Sequence, residues 1–358
     1  MKKLIFMILL LPLLASAQKI LTSPKAILPG HSNDVDAISI SARGQIAAGS
    51  WDKKINIYKD DSTFNLIKSF EAHLAPVTAI KYSRDGGLLA SGSNDHSVRI
   101  WDSTYKLIKV LEGHNGNINT LLFDYSRKFL FSGSDDRNIV IWEVESGKKL
   151  RIINTTSSVN AMVLNPQDNR QLIIAGAEPR IRAISLQNNT IASTFDGHTD
   201  IVNAIDINKS GTIMISGSND KSARLWDLKT GKEIRKLSVD CWKVTAVALS
   251  EDGSYAFTGC NDGSIKVWEV STGKLLASAE GTGNYVRDLM FSKSTNTLLV
   301  ANMIRAGADF GVHVWETKLP LPELARKTSE SEGDTSSAKI NTPKPAPLIK
   351  PYNAAPKK

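Results

Sequence analysis

The chain has 358 residues, 41% hydrophobic and 22% charged, with 24 Gly, 13 Pro, two Cys and a formal charge of +8. These proportions exclude a collagen-like chain, a wholly disordered one and a disulfide-stapled miniprotein, and a core of this size needs no metal or disulfide for stability. The positive charge points to an acidic partner, such as nucleic acid or anionic lipid, until it is located along the chain.

Residues 1–17 read as a secretory signal: basic Lys2 and Lys3, an apolar run from Leu4 to Leu14, then the small-residue site Ala15-Ser16-Ala17. Eleven apolar residues are too few to span a bilayer core, which takes about 20. No Cys follows the run, which argues against a lipoprotein anchor. The mature chain is expected to begin near Gln18 in the periplasm or outside the cell, in a compartment where disulfides persist. The compact signal favours a bacterial source.

From about residue 25 to 316 one unit recurs: a Gly-His or its remnant, an alternating apolar strand, a Gly/Asp/Ser turn, then Gly-Ser-x-Asp and a strand ending in an aromatic. Three copies are clear: EAHLAPVTAIKYSRDGGLLASGSNDHSVRIWD, EGHNGNINTLLFDYSRKFLFSGSDDRNIVIWE and DGHTDIVNAIDINKSGTIMISGSNDKSARLWD. The strand-ending residues are Tyr58, Trp101, Trp142, Ile184, Trp226, Trp268 and Trp315, spaced 43, 41, 42, 42, 42 and 47 apart. Each unit holds three or four short runs of period two, bounded by turns such as Arg84-Asp85-Gly86-Gly87 and Glu251-Asp252-Gly253. Such sheets cannot bury both faces alone, but a radial array packs each on its neighbours.

Residues 317–358 carry seven of the 13 prolines, a Ser/Thr/Glu stretch at 328–337 and the closing run KPAPLIKPYNAAPKK. With no apolar periodicity, they are expected to be a disordered, Pro/Lys/Ser-rich tail. The charge can now be placed. The signal carries +2 and the tail +4, which leaves about +2 for residues 18–316. A near-neutral folded part lacks the concentrated basic face of a duplex-binding domain, so no nucleic-acid partner is expected. The tail from Lys339 onward has five Lys and no acid, suited to a solvated tether with weak contact to an anionic envelope surface.

The repeated Gly-His and Trp-Asp signatures resemble the WD-repeat β-propeller family over residues 18–316. The resemblance implies an all-β, seven-bladed, monomeric propeller. It also implies that the apolar run Ala26-Ile27-Leu28 closes the last blade, since the seventh unit ends at Trp315 without a fourth strand. In similar blades an Asp-His-Ser-Trp set forms a structural hydrogen-bond chain. The sets here are His73, Ser91, Asp95 and Trp101; His114, Ser132, Asp136 and Trp142; and His198, Ser216, Asp220 and Trp226. Three full copies argue against a hydrolase triad, because an active site is built once. Four of the six His occupy the Gly-His position, leaving His96 and His313 with no zinc-type spacing. No metal, cofactor or catalytic residue is assigned, and the protein is read as no enzyme.

Departures from the repeat are the pointers to function. The fourth unit lacks Gly-His, has Ile184 where Trp belongs and carries Glu178-Pro179-Arg180 in its turn. The sixth replaces His with Asp240, followed by Cys241 and Trp242, and its turn becomes Gly259-Cys260-Asn261-Asp262. In related blades these two loops touch, which implies a Cys241–Cys260 disulfide, against the alternative of two buried free thiols. The seventh unit has an insertion around residues 302–310. Blades six, seven and one are consecutive in the ring, so Trp51, Trp242, Tyr285, Arg287, Arg305 and Phe310 are expected to form an aromatic and basic partner-binding patch. The family implies a non-catalytic scaffold that binds a protein or peptide through one propeller face, here in the cell envelope or secreted space. The alternatives are a glycan-binding module using Trp51, Trp242 and Tyr285, and an enzyme with convergent carboxylates or a metal in the central channel.

Overall fold

The structure, a computed structural model, describes residues 19–20, 23–280, 284–303 and 310–319. The expected signal at 1–17, most of the expected tail and Arg305 lie outside the described residues. Runs that alternate apolar and polar side chains fold as strands and gather into seven antiparallel sheets, one for each unit. The second blade is typical: Val77–Tyr82, Leu88–Ser93, Val98–Asp102 and Leu107–Leu111, from the axis outward. The innermost strands of all seven line a central channel of about 970 Å³. The seventh blade takes its outer strand from the other end of the chain, where Ala26–Leu28 pairs antiparallel with Val312–Glu316.

The sixth blade holds a strand that the repeat does not foretell. Lys19–Ile20 pairs parallel with Leu275–Ala279 and makes a five-stranded sheet. Two residues carry no readable period, which is why the sequence is silent about it.

The core lies between blades. Each of seven apolar clusters joins two neighbouring blades; one unites Ala37, Ile55 and Ile57 of the first with Val77, Leu89 and Trp101 of the second. The ring closes through Leu28, Val35 and Tyr58 packing with Leu299, Val312 and Val314. Burying one such side chain contributes roughly 1.5–3 kcal/mol, so no blade is stable without its neighbours. The Gly of Gly-Ser-x-Asp has a packing reason. A Cβ at Gly92 would stand 2.4 Å from Ile118 of the next blade, and one at Gly259 2.4 Å from Val286. Those distances are inside any tolerated contact, so glycine permits the close approach of blades.

In the turns after that motif the residue following Asp is left-handed: Lys53, His96, Arg137 and Lys221 have φ between 65° and 72°. The strain is offset because each Asp accepts the N–H two residues on, as Asp95 does from Ser97 at 2.9 Å. His96, one of the two histidines outside the Gly-His positions, is therefore a turn residue.

Candidate functional site

One face of the ring is built by the Gly-His loops and the Asp turns, clasped together blade by blade. In the second blade Trp101 Nε1–H donates to Ser91 Oγ at 2.9 Å, and Ser91 lies 2.8 Å from His73 Nε2. His73 Nδ1 lies 3.0 Å from Asp95. Burial pushes the His73 and His198 imidazoles below their usual range, although the neighbouring Asp pulls the other way. A neutral ring assigns the proton to Nδ1, donated to Asp, and leaves Nε2 to accept the Ser hydroxyl. Burial works against ionisation of Asp95, yet hydrogen bonds from His73 and Ser97 hold its carboxyl well below the usual range. The chains at Ser132 and Ser216 repeat this geometry.

Other blades keep the clasp with different atoms. In the first, His31 Nδ1 pairs with Asp52 at 2.9 Å, but buried Ala48 occupies the Ser position. His31 Nε2 consequently has no hydrogen-bond partner. Tyr58, in place of Trp, donates instead to Pro29 O at 2.7 Å. In the fourth, Glu178 accepts from Thr156 and is bonded to Arg182. In the sixth, Cys241 and Cys260 are joined by a disulfide, and Lys243 N donates to Asn261 at 3.1 Å.

At the mouth of the channel the second positions of the inner strands form a ring of side chains. Thr78, Asn119, Asn160, Asn203 and Thr245 each donate to a backbone carbonyl of the next blade, those of Ile118, Val159, Val202, Val244 and Val286. The pattern changes where the ring closes. Arg287 Nε donates to Asp36 Oδ1 at 2.7 Å, and the guanidinium lies 5.3 Å from the Tyr285 ring. Asp36 Oδ2 accepts the Trp51 indole N–H, also at 2.7 Å. Although burial works against its charge, Asp36 raises the Arg287 pKa above its ordinary value.

Of the six residues expected to form one patch, the structure brings Trp51, Tyr285 and Arg287 together. Trp242 turns to the fifth blade, where Lys221 Nζ stands 4.7 Å from its ring. It is 72% exposed, beside Cys241 in the loop between Ser238 and Val244. Phe310 is partly buried, and no described contact links it to Arg287. A residue absent from the expected set is Leu74, 79% exposed on this face. It follows His73, whose N–H bonds Lys53 O two residues from Trp51. Its signal was available, since the residue after each Gly-His-type His is Ser32, Leu74, Asn115 or Thr199, apolar in one blade.

Five carboxylates line the channel, Asp36, Asp60, Asp206, Glu251 and Asp288, and two of them tie neighbouring blades through backbone N–H groups. Asp206 accepts Leu249 N at 2.8 Å and Asp288 accepts Ile38 N at 3.0 Å, each across a blade junction. Burial raises both, Asp288 to about 6, while the Lys81 ammonium pulls each down. Both are engaged with backbone N–H groups, and the described residues contain no cluster of three or more His, Cys, Asp or Glu able to hold a metal.

A ring of seven blades with repeated Trp-Ser-His-Asp chains defines a WD-type propeller. The chain matches the family described as "WD domain, G-beta repeat" at residues 22–59, 64–102, 105–143, 189–227 and 231–269, over half its length, and it belongs to that family. The fourth and seventh units lie outside those matches. Human THO complex subunit 6 is 33% identical over 81 residues, 23% of this chain and 24% of that protein. Fission yeast eukaryotic translation initiation factor 3 subunit I is 49% identical over 49 residues, 14% and 15% of the two chains. Budding yeast pre-mRNA-processing factor 17 is 29% identical over 226 residues, 60% of this chain and 40% of that one. The chain thus spans less than half the length of these relatives.

These relatives correct the expected location. They are eukaryotic and named for a THO complex, translation initiation and pre-mRNA processing, which points away from a periplasmic or extracellular protein of bacterial origin. The reading of 1–17 rested on a basic start and a short apolar run. Those residues lie outside the described structure, so the correction rests on the relatives alone.

Proposed function

We propose that this protein is a non-catalytic platform that binds a protein or peptide segment through the clasped-loop face, across blades seven, one and two. The observation that carries the reading is the strip Tyr285–Arg287–Asp36–Trp51, continued by exposed Leu74 beyond His73. Tyr, Trp and Arg concentrate binding energy when they sit on a rigid support, and here they rest on a closed ring. Trp242 supplies a second exposed aromatic over Lys221. Two of the relatives are named as subunits, of a THO complex and of an initiation factor, which supports membership of a multiprotein assembly.

The test compares partners captured from cell extract by the full chain and by a Trp51→Ala/Leu74→Ala variant. A protein retained by the wild type and lost from this variant, but kept by a variant on the opposite face, supports the reading. Partners retained equally by both variants would remove it.

A further inference from the structure

The face opposite the clasped loops carries the turns between first and second strands, and three arginines converge on one of them. Arg43 of the first blade donates from Nε to Asp85 O at 3.0 Å, and Arg127 of the third bonds the Asp85 carboxylate at 2.6 Å. Arg84, in the same turn, lies 5.2 Å over the Tyr125 ring. Both outer arginines lie directly on this turn: a Cβ at Gly86 would meet Arg43, and one at Gly87 would meet Arg127. Arg84, Asp85, Tyr125, Ser126 and Arg127 enclose a pocket of about 250 Å³. Three guanidiniums meet at this turn and only that of Arg127 is paired with the carboxylate, since among the described residues neither Arg43 nor Arg84 has an acidic partner. The site carries a surplus of two positive charges, held in planar forks suited to carboxylates.

The chain itself holds a matching segment. Residues 328–337, outside the described structure, contain Glu330, Glu332 and Asp334 and no Lys or Arg. The described chain ends on the same face: Asn296 Nδ2, in the first turn of the seventh blade, donates to Leu319 O at 3.0 Å. The lower rim of the channel is lined by Lys293 and Ser294 of that turn and by Arg84 and Tyr125. From Leu319 to Glu330 the backbone reaches about 36 Å when extended.

We propose that the Arg43/Arg84/Arg127 site docks the acidic segment Glu330–Asp334 of the same chain. The clasped-loop face is not involved.

Carbodiimide treatment of the full chain, read by mass spectrometry, tests this through Lys128, which is exposed beside Arg127. An intrachain amide is expected between Lys128 and Glu330, Glu332 or Asp334. Its yield should fall at least fivefold in Arg43→Ala/Arg84→Ala and in 0.5 M salt, as screened charge pairs do. As a second measurement, a labelled peptide of residues 328–337 should bind a Glu330→Gln/Glu332→Gln/Asp334→Asn chain at least tenfold more tightly than it binds the wild type. Adding the two arginine substitutions should abolish that binding. An absent amide, a yield indifferent to the arginines, or amides solely between differently isotope-labelled chains would overturn the proposal. So would equal peptide affinity for the wild type and the acid-neutralised chain, or tighter arginine-dependent binding of a single-stranded RNA than of the peptide.

Discussion

Arg287 and Asp36 are 251 residues apart in sequence, and their side chains bond at 2.7 Å across the junction of the last blade with the first. At the other ring positions that donate sideways, a neutral amide or hydroxyl meets a carbonyl; here a charged pair does that work. The Asp36 side chain is 5% exposed and that of Arg287 29%. Arg287→Ala therefore leaves a nearly buried carboxylate with the Trp51 N–H as its remaining side-chain partner. The expected cost is about 1–3 kcal/mol in urea unfolding, and Arg287→Lys should recover part of it. No loss in the alanine variant would mean that the pair is incidental to closure.

The tetrads should behave as equivalent, independent units. His114→Ala removes the acceptor of the buried Ser132 hydroxyl and one hydrogen-bond partner of the Asp136 carboxylate, at about 1–3 kcal/mol. His198→Ala should cost a similar amount, and because the fifth blade is remote from the third the double variant should be additive within about 0.5 kcal/mol. Loss of a specific partner without loss of stability would instead assign the histidines to binding.

Blade one offers the converse experiment. Ala48→Ser places a hydroxyl where the other tetrads hold one, next to the unpartnered His31 Nε2. Stability should rise by about 1 kcal/mol. A fall would show that Tyr58 and Asn56 leave no room for the oxygen.

Acid should weaken the fold in two stages. The folded pKa of His73 and of His198 lies below the ordinary 6.5. The unfolded chain therefore takes up protons first, and stability declines as pH falls through about 6.5. Asp52, Asp95, Asp136 and Asp220 are held below 3.8, so the stability that they carry persists above that value and is lost below it. Asp288 runs the other way: raised to about 6, its ionised form disfavours the fold at higher pH. Relative to wild type, Asp288→Asn should thus gain more at pH 8 than at pH 4 in thermal melts. An equal effect at both would remove the assignment.

The Cys241–Cys260 bridge closes a sequence separation of 19 residues, for which the chain-entropy contribution is about 3 kcal/mol. Full reduction, or Cys260→Ser, should lower stability by up to that amount and increase hydrogen exchange in the loop bearing Trp242. Peptide mapping that recovers both thiols free from unreduced protein would contradict the pairing.

Much of the fold was legible because it is local and repeated. Period-two alternation marks the strands, a spacing near 42 residues marks the blades, and Gly-Ser-x-Asp marks the turn on which the next blade rests. The tetrads could be read for the same reason, since each lies within one unit. Trp51, Tyr285 and Arg287 stood out as departures from the repeat, but alternation states only which side of a strand is buried. Ring closure decided that Arg287 meets Asp36, that Lys19–Ile20 edges the sixth blade, and that Arg43 and Arg127 converge on Asp85. Trp242 faces Lys221 because the orientation of its loop is set by contacts between neighbouring blades. The sequence determined the units and their internal bonds. The tertiary structure alone decided the contacts between units, because those depend on how seven twisted sheets close a circle.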